Sequence, residues 1–169
     1  MAGMRALSHR SLALFTVLAA GAALGVALAS EHWGGLVPCA LCLVERWPYR
    51  IVIALGLVAL VLPRGIGRVV LVLALLAVLV GAGFAFVHVG VEWGWWPSPL
   101  PECAAPHFEP GSIAQRLASM PARPSKPCDS PTYLIPFLPV SMAAMNLIYA
   151  LAFAAFLAIS LFRSGRRRG

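Results

Sequence analysis

Cysteine is the residue type in this chain with the most chemistry to offer. Cys39-Ala40-Leu41-Cys42 is a close pair with two residues between, and Cys103 and Cys128 follow 25 positions apart. Four cysteines allow three pairings, and local spacing favours Cys39 with Cys42 and Cys103 with Cys128. A bridge across two residues closes almost no loop and adds little stability, so such pairs usually do redox work. A 25-residue closure is different: as a staple alone it stabilises by about 3 kcal/mol. Zinc sites usually show two close ligand pairs. Here one pair is close and the other is spread, with His88 and His107 as spare nitrogens, so the spacing speaks against a resident metal.

The attacking species in thiol chemistry is the thiolate, and a helix N-terminus favours it. Pro38 suits a helix entry, which sets Cys39 near the positive end and Cys42 one turn deeper. Arg46 lies four residues after Cys42, on the same helical face. Its guanidinium can support a thiolate there or donate to a carbonyl oxygen bound in the membrane. A snorkelling arginine at the headgroups is the plain alternative. Arg50 is one turn deeper still, and Glu45 is the nearest carboxylate to either. His88 closes an apolar run, and with Cys42 and Arg46 it could line one polar pocket. Asn146, inside another apolar run, reads as an interhelical hydrogen bonder.

The elements that must hold these groups follow from composition. Apolar residues make up 60% of the 169 and charged ones 11%, against about 45–50% and about 25% in soluble domains. Mean hydropathy is +0.85. A disordered chain and a soluble two-layer domain are both excluded by this surplus of apolar surface. Uncharged stretches cover 12–29, 69–87 and 140–162. Each is long enough for a bilayer core of about 30 Å, which needs roughly 20 helical residues. A fourth run, 51–62, is too short alone. To cross, its helix must extend back through Pro48 and Arg46 to Cys42, giving a span over about 42–62 with a bend at Pro48. The close cysteine pair then sits at one membrane face. The expected fold is an all-α membrane protein, a four-transmembrane-helix bundle forming one domain over 1–169.

Net charge is +7, but the basic residues flank apolar runs rather than form a phosphate-binding face, so no nucleic-acid partner is expected. Eight arginines and no acid fall at the N-terminus, at 63–68 and at the C-terminus, while all six acids fall on the other side. Positive-inside places both termini in the cytoplasm, with outer loops over about 30–41 and 88–139. All five tryptophans then lie near the outer interface. The N-terminus also carries signal-peptide features, a basic start and Ala27-Leu28-Ala29 after an apolar run. That run exceeds the usual 7–15 residues, and Gly21 with Gly25 suits helix packing in lipid, so an uncleaved span is expected. Eleven of the fourteen prolines crowd the long outer loop. Within it, 112–120 reads as a short amphipathic helix, capped by Ser112 and carrying Ile113, Leu117 and Met120 on one face, lying on the membrane or packed on its own loop.

A dithiol pair at a membrane face beside a second, exposed pair reads as an electron relay. The loop pair can meet a soluble protein, and the membrane pair can meet a lipid-soluble acceptor such as a quinone. No Gly-rich nucleotide fingerprint is present, and no paired haem-ligating histidines stand out.

Pro38-Cys39-Ala40-Leu41-Cys42, Glu45-Arg46-Trp47-Pro48-Tyr49 opening span two, His88 ending span three, the loop pair Cys103 and Cys128-Asp129, and Asn146 in span four together resemble the disulfide bond formation protein B (DsbB) family of bacterial inner-membrane thiol oxidases. The resemblance covers nearly the whole chain. It implies a four-helix bundle in the inner membrane, with its cysteines on the periplasmic side, that reoxidises DsbA, a thioredoxin-fold periplasmic oxidase. By that analogy a DsbA thiolate attacks Cys103, Cys128 is freed and attacks Cys39, and Cys42 is released beside a quinone. The quinone is ubiquinone, with menaquinone the other candidate, drawn from the membrane pool. Arg46 matches the family arginine at the quinone, and His88 matches a family histidine near the ring. Vitamin K epoxide reductase-type quinone reductases run the other way, with the loop pair first, so the cysteine order speaks against them. A non-catalytic four-span scaffold with two structural disulfides is the remaining alternative.

Overall fold

The computed structural model describes residues 8–103, 112–118, 126–135 and 137–166. Four long helices dominate: α1 His9–His32, α2 Ala40–Val61, α3 Arg64–Glu92 and, after the short α4 Ile113–Ala118, α5 Met142–Arg166. Among the described residues no strand forms. A single parallel bridge pairs Cys39 with Lys126. Ser8 and Cys39 cap α1 and α2. Ser112 Oγ accepts from the Gln115 N–H at the start of α4. Met120 and His107 lie outside the described residues.

Each long helix packs on its chain neighbour, α1 on α2, α2 on α3 and α3 on α5. The rings of Phe15 and Phe156, 4.4 Å apart, help close α1 onto α5. Short connections join α1 to α2 and α2 to α3, a long segment joins α3 to α5, and the helices form an up-down bundle. Ala20, Val52, Ala74, Val78 and Phe153 fill its middle, and Leu12, Leu71, Leu157 and Leu161 fill the arginine-flanked end. Alanine is frequent in both clusters, because small side chains let backbones approach in lipid. Outward faces are apolar too: Leu18, Leu57, Val69, Val80 and Ile148 are exposed. By length and hydropathy, α1, α3 and α5 can each cross a membrane. α2 is as long as these need but carries Glu45, Arg46 and Arg50.

One sequence expectation changes here. Gly21 and Gly25 face open space, with no atom within 4 Å of where a Cβ would stand. The close approach of α1 and α2 occurs at Gly56 instead, against Val17 and the carbonyl of Ala13. Pro48 lies inside α2, and its ring packs on Gly81 of α3, which leaves room for it.

Gly90 lies under the indole of Trp96, and a Cβ there would overlap the ring. Trp96 also donates to the Val87 carbonyl at 3.0 Å. Gly90→Val is therefore expected to expel the indole and cost about 1–3 kcal/mol, as overpacking does. Thermal unfolding in detergent, followed by tryptophan fluorescence, should show a lower midpoint and a red-shifted native spectrum.

Candidate functional site

The start of α2, the end of α3 and the loop before α5 meet at one end of the bundle. Cys39 has extended backbone angles and is the N-cap of α2, its Sγ accepting from the Cys42 N–H at 3.2 Å. Cys39 and Cys42 are thiols with Sγ atoms 2.8 Å apart. The side-chain hydrogen bond with Cys42 lowers the Cys39 thiol below its ordinary range, opposed by burial and by the charge of Glu45. Cys103 and Cys128 form a disulfide.

The loop disulfide does not stand free. Cys103 closes the turn Pro101–Cys103, and the bridge at Lys126 brings Cys128 in beside the entry to α2. Cys39, Cys103 and Cys128 form one cluster with Leu41 and Val91. Cys103 is 4% exposed and Cys128 1%. The exposed loop pair expected from the sequence is thus corrected to a buried one. The cause is packing of the loop against α3 and the start of α2, contacts that lie far apart in the chain.

His88 is buried beside the thiols, its Nε2 3.5 Å from Cys39 Sγ. Its Nδ1 is 2.7 Å from Glu45 Oε1. A carboxylate only accepts, so Nδ1 carries the hydrogen and Nε2 faces sulfur. The other oxygen of Glu45 accepts from Asn146 at 2.7 Å, and Asn146 accepts from the Tyr49 hydroxyl at 2.6 Å. Glu92 approaches His88 Nε2 at 4.0 Å and accepts from Ser141. Buried polar groups need such partners. This network locks α2, α3 and α5 around the imidazole. The Sγ atoms of Cys39 and Cys42 and a ring nitrogen of His88 all lie within 4.8 Å of one another.

Arg46 faces the other way. Its Nη1 donates to Glu31 of α1 at 2.6 Å, and Nη2 reaches the Ala27 carbonyl at 3.4 Å. Its Nε is buried without a hydrogen-bond partner among the described residues. A cavity of about 300 Å³ opens beside it. Apolar groups such as Leu24, Val26 and Met145 line much of the wall, and Cys42, Glu45, Arg46, Tyr49 and Asn146 supply its polar part. Cys42 lines this cavity; Cys39 and His88 do not. Arg50 is exposed and stacks over Trp47, 5.1 Å from the ring centre.

Sequence reading singled out Cys42 and Arg46, which do share the cavity wall. It grouped His88 with them, whereas His88 stands on the Cys39 side. It marked Glu45 as the carboxylate nearest to Arg46 and Arg50; in the structure Glu45 holds His88, and Arg46 is held by Glu31. Glu31, Glu45 and Tyr49 were not picked out as site residues. The available signal was that Glu45 falls within an otherwise apolar helix, where an ionisable residue points to function.

Fold and site define a helical membrane protein with two cysteine pairs packed together at one end of its bundle. A family model described as Disulfide bond formation protein DsbB matches residues 9–160, and the chain belongs to that family. It is accordingly a membrane protein of disulfide bond formation, with thiol oxidoreductase activity. An uncharacterized protein of Rickettsia prowazekii is 30% identical over 142 residues, covering 83% of this chain and 80% of its own. Disulfide bond formation protein B of Azoarcus sp. is 37% identical over 94 residues, covering 54% of each chain. The protein of that name from Stutzerimonas stutzeri is 42% identical over 86 residues, covering 48% of this chain and 50% of its own. The match thus spans about half the length of these two named relatives. No solved structure matches the chain.

Proposed function

We propose that this protein reoxidises a thioredoxin-fold dithiol protein of the DsbA kind and passes the electrons to a membrane quinone, ubiquinone or menaquinone. In this reading α2 is the fourth span, both termini are cytoplasmic, and the cysteines lie on the periplasmic side of a bacterial inner membrane, within one domain. The exposed tryptophans Trp33 and Trp93, at the ends of α1 and α3 nearest the cysteines, support that placement. So do Arg10, Arg64, Arg68 and Arg163 toward the other end.

The observation that carries the reading is the order of the sulfurs. The loop disulfide packs on Cys39, and Cys42 alone of the four lines the cavity. A partner thiolate attacks Cys103, for which the loop must uncover that sulfur. The relay runs on the oxidised form of the membrane pair: Cys128 leaves as a thiolate and attacks Cys39 of a Cys39–Cys42 disulfide, that bond breaks, and Cys42 leaves as a thiolate at the cavity wall. Each step breaks one S–S bond and forms another, and the electron pair moves inward. The cavity fits a quinone headgroup: its volume is at the lower end for ligand pockets, its wall is largely apolar, and the orphaned Nε of Arg46 needs an acceptor such as a carbonyl oxygen. Arg46, Tyr49 and Asn146 would hold the ring. When bound, the quinone supplies a sink for two electrons and two protons. Glu31 fixes the guanidinium, and the Glu45–Asn146–Tyr49 chain fixes the polar wall.

The test is quinone reduction followed by ultraviolet absorbance, with purified protein, a reduced thioredoxin-fold protein and a short-chain ubiquinone. Absorbance is expected to fall in step with thiol loss. Turnover with menaquinone alone would change the acceptor, and turnover with neither would overturn the reading.

A further inference from the structure

The His88 nitrogen that faces the thiols has no task in the sulfur relay just described. Three soft or borderline ligand atoms converge there: Cys39 Sγ, Cys42 Sγ and His88 Nε2. Sulfur and imidazole are the donors zinc prefers, at about 2.3 Å and about 2.0–2.1 Å. Tetrahedral angles then set ligand atoms about 3.6–3.8 Å apart. Cys39 Sγ and His88 Nε2 already stand at 3.5 Å. The two sulfurs, at 2.8 Å, must open by about 1 Å. Cys42 is only half-buried and borders the cavity, so its side chain has room to turn.

A second observation points the same way. Metal-ligating histidines almost always donate their other N–H to a carboxylate or carbonyl, which fixes the ring and raises its basicity. Here Glu45 accepts from Nδ1 at 2.7 Å, and Asn146 holds the second oxygen of Glu45. Nε2 is thereby presented to the sulfurs as an acceptor, its lone pair directed at Cys39 Sγ.

We infer that the dithiol form of Cys39 and Cys42, together with His88 Nε2, binds one zinc ion, which holds the membrane pair out of turnover. Two thiol protons are released and two Zn–S bonds form. No electrons are transferred. Three protein ligands leave a fourth position open for water, as in exchangeable rather than closed structural sites. In the disulfide form both sulfurs are spent in the S–S bond and the site does not exist. Zinc and the electron acceptor thus compete for one oxidation state. The inhibitory consequence rests on the proposed function, whereas the binding itself does not.

The full chain in detergent is reduced, freed of reductant without oxygen, and titrated with Zn²⁺ against a chromophoric chelator. Cys103→Ser/Cys128→Ser protein is run in parallel, to remove the loop sulfurs from the count. One equivalent is expected in both, with none after oxidation of Cys39 and Cys42. Glu45→Gln should weaken binding about 10–100-fold, the usual effect of removing such a carboxylate. His88→Gln should weaken it at least as much, and Cys42→Ser should abolish it. Cd²⁺ in place of Zn²⁺ should give a thiolate-to-metal absorbance band. No binding to the reduced chain overturns the inference. Binding that both His88→Gln and Glu45→Gln leave unchanged overturns it too, since any dithiol would then suffice. The comparison of reduced with oxidised wild-type chain needs no variant, and no electron acceptor enters the assay. Quinone turnover without zinc binding would leave the thiol oxidase reading standing and remove this one.

Discussion

Cys42→Ser is expected to stop catalytic turnover with a quinone while one equivalent of partner dithiol is still oxidised. The loop disulfide Cys103–Cys128 is intact in that variant and can accept one pair of electrons. Nothing beyond it can pass them on, because Cys39 has lost the sulfur with which it forms a disulfide. A serine hydroxyl cannot form that bond, and it is not ionised as a thiolate is. Removing a covalently acting group commonly costs more than about 10³-fold, and a fall of that order is expected here. Rapid mixing with reduced thioredoxin-fold protein should therefore show a burst of one thiol pair per chain and then a halt. A structural scaffold would behave differently, since Cys42 is a half-buried thiol outside the Cys103–Cys128 disulfide and its loss would remove no staple. Unchanged steady-state quinone reduction by Cys42→Ser would end the proposed relay.

The route of the chain was readable where a single physical quantity decides. Apolar run length separates crossing helices from short ones, and α1, α3 and α5 contain the stretches 12–29, 69–87 and most of 140–162. The entry to α2 was readable for a similar reason. A run of twelve residues is too short to cross alone, so a crossing helix was expected to begin near the cysteines, and α2 begins at Ala40. Helix packing was less accessible. Gly21 and Gly25 have the spacing of a contact face, yet the glycines of α2 and α3 that other parts of the chain crowd include Gly56, Gly67, Gly81 and Gly90. Spacing within one helix reports which residues share a face. It does not report which face the next helix takes.

The site divides along the same line. Local spacing pairs Cys39 with Cys42 and puts Arg46 one turn below Cys42, and both groups reach the cavity from one helix. The partners of Arg46 and Glu45 come from other helices, Glu31 from α1, His88 from α3 and Asn146 from α5. Their separations are 15, 43 and 101 residues, and no periodicity in a single sequence connects them. Burial of the loop disulfide escaped for the same cause. Cys103 and Cys128 sit in a polar, proline-rich loop, and only its return onto Cys39 hides them.

Arg46→Met should raise the quinone KM about 10–100-fold with little change in the rate at saturation. The size follows from the kind of contact. A hydrogen bond from a charged donor contributes about 1.5–3 kcal/mol, and about 1.4 kcal/mol is tenfold in an equilibrium constant. A loss confined to KM means that binding, not the reaction step, has been weakened. Methionine keeps much of the arginine stem, so packing against α1 is preserved. The difficulty is Glu31, which the substitution leaves without its cation in a half-buried place. A damaged cavity wall could then mimic a lost ligand contact. Glu31→Gln separates the two causes, since it breaks the 2.6 Å ion pair and keeps the guanidinium. If Arg46 acts on the quinone, Glu31→Gln alone, whose amide oxygen can still accept from Nη1, falls well short of the Arg46→Met defect, and Glu31→Gln/Arg46→Met repeats the defect of Arg46→Met. If the ion pair only braces α1 against α2, Glu31→Gln alone reproduces the defect. A quinone titration of Arg46→Met that overlays the wild-type curve would leave the buried Nε to some other acceptor and remove Arg46 from the site.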